Sequence, residues 1–139
     1  MTSSADQPHL RAMEEAGRIV PIEAALALEL NSYIESRPWH ATRLDWSEQS
    51  FLDIVFDEEA HRVGETPLGS HSHGIVLVGQ KGFSFLLEDE LHNLDEIAWG
   101  SPGFRYLCGA DDVGGSLVPV VEHFAEYDGK HTLRIALSP

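Results

Sequence analysis

The feature that most constrains this chain is Gly74-Ile75-Val76-Leu77-Val78, followed at once by Gly79-Gln80-Lys81-Gly82 and then by Phe83-Ser84-Phe85-Leu86-Leu87. A continuous apolar run bounded by glycine is the pattern of a strand covered on both faces. A four-residue link is too short for a parallel crossover, so the two runs are expected to pair antiparallel as a hairpin.

Other elements are read by spacing. Leu10 to Gly17 predicts a short helix ended by glycine. Pro21 to Ser36 predicts a longer one: Ile22, Leu26, Leu30, Tyr33 and Ile34 recur at helical intervals, Ala24, Ala25 and Ala27 favour helix, and Pro38 closes it. Trp39 to Gln49 reads as a loop or short edge strand. Ser50 to Phe56 reads as a strand, Asp57-Glu58-Glu59 as a turn, and Ala60 to Val63 as a short returning strand. Gly64 to Ser70 is a loop, Glu88-Asp89-Glu90 a turn, Gly100 to Gly103 another, Phe104 to Cys108 a strand, and Gly109 to Gly115 a loop. For Ser116 to Tyr127 a helix is expected, because Leu117, Val120, Val121 and Phe124 make a stripe and Asp128-Gly129 follows as a stop. The rival is a hairpin across Asp128-Gly129, with Lys130 to Leu137 as its second strand. The expected class is α+β: an antiparallel sheet of four to six strands with an N-terminal and a C-terminal helix packed on one face. By size, residues 1–139 are expected to form a single domain, with 1–9 as a flexible tail.

Charge narrows the partners. The 139 residues carry 23 acidic and 9 basic side chains, a formal net charge of −14. From Asp45 to Glu96 there are twelve acids against Arg62 and Lys81. That balance argues against nucleic acid, which needs cations to displace counterions, and against anionic membranes. It favours a basic partner met by electrostatic steering. No apolar stretch approaches the ~18 residues of a membrane span, and the first residues lack the basic start and apolar run of a secretory leader. A cytoplasmic location is therefore expected. Cys108, the single cysteine, lies in an apolar run and reads as a small buried hydrophobe.

Eight histidines offer chemistry, and His71 and His73 are the closest pair. Residues two apart on an extended segment point the same way, so these two are candidate ligands for zinc or iron, with His61, His92, Asp111 or Asp112 as a third. The run Gly64…His71-Ser72-His73…Gly79…Gly82 is similar to the first metal motif of cupins, and Pro102-Gly103 before a strand resembles the start of their second. That resemblance implies a nearly all-β, metal-binding protein. The sequence departs from it where the motif glutamate belongs, at Val76 to Val78. It departs again where the second-motif histidine belongs, at Phe104 to Tyr106.

The sequence has no GxxxxGK[ST], HExxH, CxxC or GxSxG run. The expected function is a non-enzymatic acidic binding protein of the immunity or antitoxin type, neutralising a basic bacterial toxin. Asp57, Glu58, Glu59, Glu88, Asp89 and Glu90 are the expected charged contacts, and Trp46 an exposed anchor. The alternative is a metal-binding protein or enzyme using His71 and His73. Trp39 is also expected near the surface, and Trp99 in the core.

Overall fold

The computed structural model describes residues 8–40, 43–56, 58–99 and 105–137. Its elements run α1 (Pro8–Glu15), β1 (Val20–Pro21), α2 (Ala24–Ser36), β2 (Trp39–His40), β3 (Arg43–Leu44), β4 (Phe51–Val55) and β5 (His73–Val78). There follow β6 (Lys81–Leu86), α3 (Leu87–Glu90), α4 (Leu94–Ala98), β7 (Arg105–Val113), β8 (Ser116–Tyr127) and β9 (Thr132–Ala136). Short 3-10 turns occupy Ala60–Glu65, Leu68–Ser70 and Leu91–Asn93. Seven strands form one antiparallel sheet in the order β1-β6-β5-β7-β8-β9-β4, and β2 and β3 pair separately.

The β5–β6 hairpin is as expected, with Val76 opposite Phe83 and Val78 opposite Lys81. Covering both faces is what makes β5 continuously apolar. Val76 joins a core with Leu10, Met13, Ile19, Val63, Leu94 and Ile97, whereas Ile75 and Leu77 join the opposite core with Leu30, Ile34 and Trp46. Each such side chain, wholly removed from water, contributes about 1.5–3 kcal/mol before entropy is counted. Gly74 is required by its cross-strand partner: a Cβ there would lie 2.5 Å from the Phe85 ring, which covers it.

The α+β class holds, but several expectations are corrected. Ser116–Tyr127 is the strand β8, not a helix. Its backbone pairs with β7 over Ser116 to Val120 and Phe124 to Tyr127, with Val121 to His123 bulged between, and with β9 at Ala125 to Tyr127, so the hairpin across Asp128-Gly129 is the correct reading. The sheet has seven strands rather than four to six. Helices cover both faces, α1 and α4 on one and α2 on the other, because an all-apolar β5 leaves no solvated face. The second helix starts at Ala24, since Pro21 pairs with Phe83 in β1 and the Ile22 N–H bonds the Gly82 carbonyl. Ala60 to Val63 is 3-10 helix, not strand, and Gly109 to Val113 continues β7. Pro8 and His9, within the expected tail, begin α1. The expected turn over 100–103 lies outside the described residues, as does Asp57.

Candidate functional site

The acidic turns are built differently from the expected exposed clusters. After β6 the chain enters α3, whose amphipathic turn buries Leu87 and Glu90 and leaves Glu88 and Asp89 exposed. Glu90 is 7% exposed at its side chain and receives the Arg18 guanidinium through two bonds: Nε to Oε2 at 3.2 Å and Nη2 to Oε1 at 2.7 Å. Arg18 also reaches Glu96 at 3.6 Å. The bond to Glu90 holds the Arg18 pKa above its ordinary value. Glu90 is therefore an internal counter-ion to Arg18 and not an exposed carboxylate.

Beside this pair lies a cleft of about 260 Å³, lined by Arg18, Val20, His73, Leu86, Asp89 and Glu90 among others. Val20 and Leu86 are 55% and 50% exposed and both line this cleft. Glu88 and Asp89 have no ion-pair partner among the described residues.

The other turn is smaller in effect. Glu58 is exposed, whereas Glu59 accepts the Val55 N–H and pairs with Arg62 at 3.2 Å. The Val55 N–H bond, with Arg62 assisting, lowers the Glu59 pKa. The two turns follow β4 and β6, which stand five strand positions apart in the sheet, roughly 24 Å between strand axes.

Trp46 is not an exposed anchor. It is 6% exposed, stacks on Phe124 at 5.3 Å and donates its indole N–H to Glu126. Glu126, fully buried on β8, also accepts the Leu44 N–H and pairs with Arg43. This carboxylate ties the β2–β3 ribbon and the following segment to the sheet. Sequence reading missed it because its three donors lie 80 to 83 residues away. Trp99, expected in the core, is 47% exposed, and Trp39 is 39% exposed. The pairing of arginine with acid recurs at Arg134, which pairs with Asp53 at 2.8 Å and lies over the Phe51 ring at 4.1 Å.

His71 and His73 are close in sequence but are spent on different partners. The 3-10 turn Leu68–Ser70 and a bend precede β5, so the alternation of a strand does not apply across them. His73 Nδ1 meets the Ser72 hydroxyl at 2.8 Å. His71, 7% exposed, has both nitrogens engaged: Nδ1 with Asp111 Oδ2 at 2.8 Å and Nε2 with His123 Nδ1 at 2.6 Å. Asp111 also accepts the Ser72 N–H at 3.2 Å. The His71 bond first, and then the Ser72 bond, holds the Asp111 carboxyl below its ordinary pKa. Ionised Asp111 is an acceptor only, so His71 Nδ1 carries hydrogen and, in the neutral ring, Nε2 offers its lone pair to His123. His61 and His92, the other histidines considered as a third ligand, are both exposed. Among the described residues no group of three or more His, Cys, Asp or Glu is placed to hold a metal ion.

Burial pushes the Cys108 thiol up to about 12, which suits a packing residue and not a nucleophile. No helix among the described residues is long and apolar enough to cross a membrane. No family model, no curated protein and no solved structure matches this chain.

Proposed function

We propose that this is a non-enzymatic acidic binding protein that captures a basic protein partner at the cleft beside α3. Its concrete form is an immunity- or antitoxin-type inhibitor of a basic bacterial toxin. One observation carries the reading: Arg18 in the cleft is neutralised inside the chain by Glu90 and Glu96, while Asp89, next to exposed Glu88 on α3, stands exposed in the cleft with Val20 and Leu86. Apolar surface rimmed by unpaired charge of one sign is the make-up of a recognition patch.

At about 260 Å³ the cleft is smaller than the ~300–1,000 Å³ typical of small-molecule sites. It suits a single long side chain. A lysine or arginine from the partner would lay its alkyl stem along Val20 and Leu86 and bring its charged head to Asp89. The same neutralisation runs through the molecule, since Arg43, Arg62 and Arg134 are also paired with acids of the chain. The net charge of −14 sets a negative field outside, which speeds encounter with a cation.

Affinity capture from the source organism tests this, using the native protein and a variant carrying Glu88→Lys and Asp89→Lys. Support is a strongly basic protein held by the native chain and lost with the variant. Capture of no basic protein, or equal capture by both, contradicts the reading.

A further inference from the structure

We infer that His71 and His123 form a two-histidine site for one divalent transition-metal ion of the zinc, nickel or copper class, with Asp111 as the outer carboxylate that orients His71. The proposal is independent of the partner-binding cleft. It also differs from the sequence pair His71 and His73, because His73 has no part in it.

Three observations converge. First, His71 Nε2 and His123 Nδ1 face each other at 2.6 Å, with ring centroids 4.9 Å apart and planes inclined by 44°. Two imidazole nitrogens that close have one hydrogen between them, and a metal ion is the other species two such lone pairs bind. Second, Asp111 takes the remaining nitrogen of His71 at 2.8 Å. That is the carboxylate–histidine support found behind metal-ligating imidazoles, where it fixes the tautomer and raises the basicity of the ligating nitrogen. Third, the backbone makes room for the ring. The β7–β8 register shifts between Cys108 and Gly109, and a Cβ on Gly109 would lie 2.2 Å from His71 Cδ2. Only glycine lets the nearly buried imidazole lie against the strand.

The ion would replace the shared hydrogen. Tetrahedral bonds of ~2.0–2.1 Å place the two nitrogens roughly 3.3 Å apart, so the rings need to part by about 0.7 Å. His123 is half-buried, and β9 pairs with β8 only from Ala125 onward, which leaves His123 on the freer part of its strand. With no third protein ligand among the described residues, water completes the shell. Copper should bind more tightly than nickel or zinc, following the usual order for nitrogen sites.

The test is calorimetric titration of the full chain with zinc and with copper, together with electron paramagnetic resonance of the copper form. The expected result is one equivalent bound, with two imidazole nitrogens in the copper spectrum. His123→Gln should lower affinity at least tenfold and Asp111→Asn about tenfold. His73→Gln should leave it unchanged. His123→Gln is the primary variant because its side chain is not deeply buried, and circular dichroism verifies its fold. The proposal is overturned if the folded native chain binds neither metal, if His123→Gln binds as tightly as native, or if His73→Gln removes the site.

Discussion

Replacing Glu126 by Gln tests the least expected piece of the architecture, a buried carboxylate that fastens the β2–β3 ribbon to the sheet. In the native chain Oε1 accepts from Arg43 and from the Trp46 indole, and Oε2 accepts the Leu44 N–H. Glutamine can keep only one acceptor oxygen. With the amide nitrogen in the Oε2 position, it meets the Leu44 N–H donor to donor and leaves that buried group unsatisfied, at a cost of about 1–3 kcal/mol. The opposite orientation sets the nitrogen against two donors and is worse. Bonds to a neutral oxygen are also weaker than bonds to a carboxylate, by roughly half. Because the Arg43 side chain is 36% exposed, part of that loss is recovered by water. The expected total is about 3 kcal/mol, or a fall in Tm of about 10 °C for a chain of this size. Urea and thermal unfolding measure it. Glu126→Met with Arg43→Met should cost more than Glu126→Gln alone, since it leaves both the buried Leu44 N–H and the Trp46 indole N–H without an acceptor. A Glu126→Gln protein within about 0.5 kcal/mol of native would refute the reasoning.

Further outcomes follow from the same geometry. Glu90→Lys should unfold more easily by several kcal/mol, because it places a cation against Arg18 in a buried setting, whereas Glu88→Lys should stay within about 0.5 kcal/mol in urea unfolding. Gly109→Ala should cost about 1–3 kcal/mol and shift the His71 ring resonances, since the added methyl overlaps that ring. Asp128 is partly buried, which opposes ionisation. The N–H groups of Lys130, Thr132 and His131 outweigh this and lower its pKa. A lowered carboxylate stabilises the fold above its unfolded value of about 3.9 and loses that contribution as pH falls through the folded value. Asp128→Asn should therefore flatten the fall in stability below about pH 4, as read by urea midpoints. Cys108 should resist alkylation at neutral pH in the native protein and react once unfolded.

The sequence was most informative where burial was complete. β5 is covered on both faces, so its apolar run and the glycines around it left one reading. β8 shows why others failed. Its two paired segments, Ser116 to Val120 and Phe124 to Tyr127, are separated by Val121 to His123, which have no partner in β7 and break the alternation, and Glu126 puts a charge at a buried position because its partners come from 80 residues away. With strand periodicity hidden, Leu117, Val120, Val121 and Phe124 fell by chance on helical spacing. Long-range pairing also reversed the two tryptophans. Trp46 is buried because Glu126 takes its N–H, while Trp99 follows the end of α4 and stays half in water. Of the expected acidic contacts, Glu88, Asp89 and Glu58 keep exposed carboxylates, Glu59 and Glu90 are drawn into ion pairs, and the difference depends on where Arg62 and Arg18 arrive. His71 is singled out in the sequence by its nearness to His73, and Asp111 is among the residues named as a third ligand, but His123 lies 52 residues on, too far for spacing to pair it with His71.

The most direct measurement of the central claim is the association rate of this chain with the basic protein that the proposed function requires, followed by stopped-flow from about 20 to about 500 mM salt. If exposed carboxylates at the cleft steer the encounter, the rate falls steeply with salt and falls further when Glu88 and Asp89 are both lysine, while the salt dependence of dissociation stays slight. A rate that is flat in salt and unmoved by that double replacement would contradict the account and leave the acidity as a matter of solubility alone.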